Sequence, residues 1–159
     1  MNQRTETKAL HAPSAMDASS NDRYPLSGVV VIDLSHIYNG PYATYPMALA
    51  GAQVIKIEPQ GGEHLRHRAG LGGAALPFAM LNGNKQCVTL DLKSARGRAL
   101  LFDMVRKADV TVENFAPGVT ERLGIGPDAV RECNPRLIYA SSNRPFTGLP
   151  ALPRLTPPG

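Results

Sequence analysis

Five short apolar runs, rich in β-branched residues, recur along the chain with helical or polar segments between them. They cover residues 28–34, 53–58, 87–92, 109–114 and 136–141. The first run is continuously apolar rather than alternating, which is typical of a strand buried on both faces of a sheet. Because strands that alternate with helices form parallel sheets, the sequence predicts an α/β fold, a Rossmann-like parallel sheet with flanking helices.

The segments between these runs predict helices over 41–52, 78–81, 95–108, 117–124 and 128–133. The clearest is 95–108, because Ser94 is a good N-cap directly before it. Its apolar stripe consists of Leu100, Leu101, Met104, Val105 and Ala108. Residues 59–77 are rich in glycine, histidine and arginine and are too long for a simple connector, so we expect a loop there.

The two ends of the chain differ from the middle in composition and in hydrophobic periodicity. Residues 1–24 are polar and have no apolar core of a secretory signal, so they predict a disordered leader. Residues 25–141 carry the alternating pattern, and 142–159 form an irregular tail rich in proline. Nothing approaches the run of about 18 apolar residues that a membrane span needs. We therefore expect a cytoplasmic protein that does not enter a membrane.

Charge and cysteine content exclude some classes of site. The chain has 17 Lys and Arg against 13 Asp and Glu, a formal charge of +4, but the basic residues are dispersed and there is no tryptophan. This distribution favours a generally basic surface over a nucleic-acid interface. Cys87 and Cys133 match no metal or redox spacing and predict reduced thiols.

The strand ends offer one candidate function, a dinucleotide-dependent oxidoreductase half-domain. Ligands of open α/β sheets bind outside the carboxyl ends of the strands. Glu58 follows Asp33 by 25 positions, about where such domains place the acid that binds a ribose hydroxyl. The turn over 35–41 has the single glycine Gly40 where the fingerprint needs three, so the sequence argues against a dinucleotide.

Other polar residues near strand ends favour structural roles. Ser35 and His36 lie outside any nucleophile elbow, and a loop histidine is more often a hydrogen-bonding structural residue. The pair His64 and His67 has no accompanying third ligand, so the sequence predicts no metal site. Asp33 and Asp91 end strands, where an acid often caps the following turn.

A set of strings resembles one known family when taken in order and spacing. They include Ala-Gly-Ala-Gln-Val-Ile-Lys-Ile-Glu-Pro at 50–59, Leu-Asn-Gly-Asn-Lys at 81–85 and Ala-Asp-Val-Thr-Val-Glu-Asn-Phe at 108–115. Together with the strings over 25–44, 88–94, 117–126 and 134–141, they resemble the N-terminal part of class III (family III) CoA-transferases. That family includes formyl-CoA transferase, carnitine CoA-transferase and relatives of α-methylacyl-CoA racemase.

The resemblance implies a fold and a reaction. It implies a Rossmann-like large domain, of which this chain has an incomplete part, and a homodimer whose two chains interlock as rings. It implies transfer of CoA between carboxylic acids through an aspartate that forms a mixed anhydride and then a CoA thioester. CoA would be a substrate, a carboxylic acid its partner, and no separate cofactor would be needed.

The resemblance also implies which residues contact CoA. They are Tyr38, Asn39, Leu90, Asp91, Leu92, Lys93, Asn114, Phe115, Ala116 and Arg122. Lys93 and Arg122 carry the charge to pair with phosphates, and Phe115 either offers a face to adenine or anchors the core. Relatives often have glutamine where this chain has Tyr38 and a basic residue where it has Pro59.

The end of the chain departs from the resemblance. Relatives place the nucleophilic aspartate shortly after the strand at 136–141, whereas residues 142–159 contain no Asp or Glu. We therefore expect a fragment with no catalytic residue of its own, the alternative being a non-catalytic CoA-binding or interaction module. An incomplete sheet would leave a strand edge exposed, which predicts poor solubility or dependence on a partner.

Overall fold

The computed structural model describes residues 23–68 and 75–142. Five strands alternate with helices along this part of the chain. The strands are β1 (Val30–Asp33), β2 (Gln53–Glu58), β3 (Gln86–Thr89), β4 (Val110–Glu113) and β5 (Ile138–Ser141). The α-helices are α1 (Asn39–Leu49), α2 (Leu76–Asn82), α3 (Ala95–Val105), α4 (Val119–Arg122) and α5 (Pro127–Cys133).

All neighbouring strands pair in parallel, in the order β3-β2-β1-β4-β5. The predicted α/β fold with a parallel sheet is therefore confirmed. This order matches the first five strands of doubly wound nucleotide-binding sheets. The direction of winding reverses between β1 and β4, and ligands of such sheets bind outside the carboxyl ends of the strands at that reversal.

The sheet separates two apolar layers. Successive strand residues point to opposite faces, so Val31 packs with Ala48 and Val54 on the α1 side, whereas Ile32 faces α3 and α5. Val31 and Ile32 are both completely buried. The prediction that the first strand is buried on both faces is confirmed, and β1 is the centre of the fold.

Helix α3 begins where the sequence predicts. Ser94 adopts an extended conformation and its Oγ accepts a hydrogen bond from the Gly97 N–H at 3.0 Å. Leu101 and Val105 are completely buried against the sheet, but Leu100 is 44% exposed. The predicted apolar stripe is therefore wrong at Leu100, because the face of α3 that packs on the sheet includes fewer residues than the apolar positions of the sequence.

The segment over 59–77 has more structure than the predicted loop. A 3-10 helix, His64–His67, buries Leu65 completely, and α2 covers Leu76–Asn82 rather than a single turn at 78–81. Residues 1–22, 69–74 and 143–159 lie outside the described residues, and they include nearly all of the predicted leader, part of the predicted loop and nearly all of the predicted tail. Within the described ranges, no helix combines the length and the apolar composition that crossing a membrane requires.

One buried hydroxyl on β4 yields a stability prediction. Thr111 pairs with Ile32 of β1 and Tyr139 of β5, is completely buried, and its Oγ1 has no hydrogen-bond partner among the residues described. Thr111→Val keeps the shape and removes the unpaired hydroxyl, so we expect it to raise the free energy of unfolding by about 1 kcal/mol. Chemical denaturation measures this difference.

Thr44→Val is the matched control, because the Thr44 hydroxyl donates a 2.6 Å hydrogen bond to Asp33. We expect that control to lower the free energy of unfolding by about 1 to 2 kcal/mol. A loss of stability in Thr111→Val as large as that in the control would contradict the prediction.

Candidate functional site

A cavity of about 290 Å³ opens at the carboxyl ends of the strands. Five of the ten residues predicted to contact CoA line it: Leu90, Asp91, Leu92, Lys93 and Phe115. The rest of its wall consists of Leu34, His36, Ile57, Glu58, Pro59, Gln60 and Leu123. The wall is mostly apolar with charged groups at its edge, which suits a ligand that combines a flat apolar group with charges.

Local hydrogen bonds shape the segment 90–93. Asp91 Oδ1 accepts from the Lys93 N–H at 3.0 Å, and the Asp91 carbonyl accepts from Ser94 Oγ at 2.8 Å. The prediction that Asp91 caps a turn is confirmed. Gly97 is required beside this turn, because a Cβ atom there would lie 2.0 Å from the Asp91 carbonyl oxygen.

Asn114 lies beside the cavity rather than in its wall, and it holds the turn that follows β1. Its Oδ1 accepts from the His36 N–H at 2.8 Å, and its Nδ2 donates to the His36 carbonyl at 2.8 Å. Nδ2 also lies 2.7 Å from Asn39 Oδ1, which accepts from the Gly40 N–H as well. The structure therefore uses Asn114 and Asn39 to position backbone.

Three predicted residues lie outside the cavity wall and on the surface. Tyr38 is 49% exposed and its hydroxyl accepts a 3.2 Å hydrogen bond from Arg68. Ala116 is exposed in the loop after β4, and Arg122 is exposed at the end of α4. The structure thus brings half of the predicted set into one cavity and leaves these three around it.

His36 is a cavity residue that the sequence reasoning treated as structural. Its ring meets the Phe115 ring edge to face, with centroids 5.2 Å apart and an interplanar angle of 67°. The pKa of His36 lies below its ordinary value, chiefly because the ring is buried and secondly because the charge of Lys56 is nearby. The carboxylates of Glu63 and Asp33 act in the opposite direction. The neutral imidazole of His36 therefore gives the cavity an aromatic surface, and its two ring nitrogens can donate or accept hydrogen bonds. Its position just beyond the carboxyl end of β1 is the sequence signal that could have identified it as a cavity residue.

Glu58 makes a bidentate ion pair instead of offering a free carboxylate. Arg66 Nε and Nη2 lie 2.6 and 2.7 Å from its two oxygens, and the Glu63 N–H adds a 3.0 Å hydrogen bond. Burial disfavours ionisation, but the hydrogen bonds from Arg66, the Cys87 thiol and Glu63 outweigh it and lower the pKa of Glu58 to about 2. Both oxygens are engaged, so the position that suggested a ribose-binding acid is structural.

A buried group of charges lies beneath the turn after β1. Lys85 Nζ is 3.0 Å from Asp33 Oδ2, and both side chains are completely buried. Burial raises the pKa of Asp33, but the charges of Lys56 and Lys85 and the hydroxyls of Ser35 and Thr44 bring it below its ordinary value. The prediction that Asp33 caps its turn is confirmed by the 2.9 Å bond from the Ser35 N–H. Its pairing with Lys85 was missed.

The described residues contain no cluster of three His, Cys, Asp or Glu that could hold a metal ion. His64 and His67 belong to the 3-10 helix, and His67 Nε2 lies 2.5 Å from the Gly61 carbonyl. Cys87 and Cys133 are both free thiols.

Residues 26–144 match the profile of CoA-transferase family III. The chain belongs to this family. The chain is 46% identical over 121 residues to an acetyl-CoA:oxalate CoA-transferase from Acetobacter aceti, covering 75% of this chain and 31% of that protein. It is 41% identical over 138 residues to an acyl-CoA transferase from Fusarium pseudograminearum, covering 80% and 30%.

A solved structure agrees with the family III assignment. A hypothetical protein from Mycobacterium tuberculosis superposes with a TM-score of 0.72 at 36% identity, covering 81% of this chain and 38% of that one. By the coverages given above, the chain spans about 30% of the length of the curated relatives that it matches.

The buried Lys85–Asp33 pair makes the first prediction for this site. Lys85→Met leaves a buried carboxylate without its ion partner, and we expect it to lower the free energy of unfolding by about 3 kcal/mol. Lys107→Met is the control at an exposed position and should change stability by less than about 0.5 kcal/mol. Chemical denaturation of both variants compares them, and equal effects would contradict the prediction.

The Glu58–Arg66 pair predicts a pH dependence of stability. The pKa of Glu58 is about 2 in the folded protein against an ordinary 4.5, so its contribution is complete above 4.5 and is lost as the pH falls toward 2. We expect Glu58→Gln to lower stability at pH 7 and to flatten the decline between pH 5 and 2. Denaturation at a series of pH values measures both, and parallel profiles for the two proteins would contradict the assignment.

Proposed function

We propose that this chain forms the CoA-recognising part of an enzyme that transfers CoA between carboxylic acids. One observation carries the proposal: the segment 90–93 and Phe115, both expected to contact CoA, lie in one cavity at the winding reversal of a family III sheet. Relatives described as acyl-CoA and acetyl-CoA:oxalate CoA-transferases support this class of reaction. Carboxylic acids are the proposed second substrate, with no separate cofactor.

The chemistry of the cavity matches the parts of CoA. Leu34, Ile57 and Leu92 provide an apolar wall of the size and polarity that an adenine ring needs, and Phe115 provides an aromatic one. Lys93 is exposed at the edge, where its ammonium can pair with a phosphate. The surface residues Tyr38, Asn39, Ala116 and Arg122 would then contact the more extended portion of CoA outside the cavity.

The reaction needs a carboxylate that attacks the thioester carbonyl, releasing CoA thiolate and leaving a mixed anhydride. The thiolate then attacks the enzyme carbonyl, releases the first acid and leaves an enzyme–CoA thioester. The acceptor carboxylate then attacks the enzyme–CoA thioester, which releases CoA thiolate and forms a second mixed anhydride. The thiolate attacks the acceptor's carbonyl in that anhydride, which forms the new acyl-CoA and frees the enzyme carboxylate. We propose that an aspartate outside residues 23–68 and 75–142 performs this role.

Two observations support placing the nucleophile elsewhere. The carboxylates in the cavity wall are Glu58 and Asp91. Glu58 is held by Arg66 through both oxygens, and its lowered pKa makes it a weak nucleophile. Asp91 holds the turn at Lys93. Under this proposal, the chain can bind CoA without carrying out turnover.

We further propose that turnover takes place in a cytoplasmic homodimer with interlocked chains.

Isothermal titration with CoA tests the proposed binding. We expect CoA to bind and NAD not to bind, and we expect Lys93→Gln to weaken CoA binding about fivefold through loss of a phosphate contact. Lys107→Gln is the matched control and should leave the dissociation constant unchanged, because it removes the same charge from another exposed position. NAD binding without CoA binding, or equal effects of the two substitutions, would overturn the proposal.

A further inference from the structure

The turn between β1 and α1 contains a residue in a backbone conformation that it disfavours. Ile37 has a φ of 66°, in the left-handed region. A β-branched residue is a genuine outlier there, because its Cβ substituents crowd the backbone. Such residues persist only where their surroundings over-determine the conformation, and they cluster at ligand sites.

The surroundings of this turn do over-determine it. The Ser35 N–H donates to Asp33 Oδ1 at 2.9 Å, and Lys56 Nζ donates to the Ser35 carbonyl at 2.7 Å. Both backbone groups of His36 bond to the Asn114 amide, each at 2.8 Å. Side chains from β1, β2 and the loop after β4 therefore hold consecutive backbone groups of the turn.

Glu63 completes the set from the loop that follows β2. The Ile37 N–H donates to Glu63 Oε1 at 2.8 Å, while Glu63 Oε2 accepts from the Leu65 N–H at 3.1 Å. The Glu63 residue is completely buried and is absent from the cavity wall. Its influence on a ligand is therefore indirect and runs through the turn.

The turn decides where His36 lies. Its ring forms part of the cavity wall and packs against Phe115, on the N-terminal side of the strained residue. If Ile37 relaxed to negative φ, the chain directions of His36 and Tyr38 would change relative to each other. The left-handed Ile37 therefore directly follows the residue whose ring packs against Phe115, and Glu63 acts on this turn together with Asn114.

We propose that Glu63 is a positioning residue for this cavity, which clamps Ile37 in its left-handed conformation and so aims the His36 ring at the ligand. The inference rests on the proposed function only in taking that ligand to be CoA. It assigns a role to a buried acid whose sequence position, among glycines and histidines, indicated none.

The first experiment compares Glu63→Gln with Glu132→Gln, a matched control at an exposed position. A glutamine has one acceptor oxygen and cannot serve the N–H groups of both Ile37 and Leu65. We expect the dissociation constant of CoA to rise about tenfold in Glu63→Gln and to stay unchanged in the control.

Proton NMR of the His36 ring provides a readout that needs no ligand. The nearby Phe115 ring displaces its resonances, which are identified by their loss in His36→Gln. In Glu63→Gln we expect them to move toward the values of an unstacked imidazole. Unchanged His36 resonances would overturn the inference, whatever CoA does.

A second substitution separates positioning from a purely structural role. Glycine adopts positive φ without strain, so adding Ile37→Gly to Glu63→Gln should recover most of the lost affinity and of the displaced resonances. A role confined to capping the 3-10 helix through Leu65 predicts no recovery, and that result would overturn the inference. If the unaltered protein does not bind CoA, the proposed function fails, and the resonances alone decide the role of Glu63.

Discussion

The buried carboxylate of Asp33 is the constraint on which the arrangement of the site depends. It ends the central strand, accepts a 2.6 Å hydrogen bond from Thr44 of α1 and pairs with Lys85, which precedes β3. Burying such a pair costs desolvation energy that only well-formed hydrogen bonds offset. The pair is therefore stable in one geometry, and that geometry brings β1, α1 and the chain before β3 together.

Several polar groups of this structure bond to backbone behind the cavity, whose own wall is mostly apolar. Asp33, Lys56, Glu63 and Asn114 all direct hydrogen bonds at the turn after β1. The same separation explains why Glu58 is not a candidate for chemistry, since Arg66 occupies both of its oxygens. Rigid polar contacts behind a cavity prepare its shape before a ligand arrives, which lowers the ordering cost of binding.

Much of the fold could be predicted because its signals are local. Strand periodicity and the Ser94 cap depend on neighbouring residues, and they placed the strands and α3 within a few positions of their observed bounds. Family resemblance, not periodicity, led to the segment 90–93 and to Phe115. The contacts of Lys85 and Glu63 join residues 52 and 26 positions apart, respectively, and no local pattern records such pairs. Glu58 was misleading for a different reason: its partner Arg66 is only eight positions away but lies in a segment whose sequence has no periodicity.

The close approach of Gly97 to Asp91 has a mechanical consequence. With no side chain between them, the start of α3 rests directly on the carbonyl of a cavity residue, and the Ser94 hydroxyl bonds to that same carbonyl. The first turn of α3 and the segment 90–93 are therefore in direct contact, and a shift of one requires a shift of the other. A displacement of α3 would consequently also displace the segment 90–93, which forms part of the cavity wall.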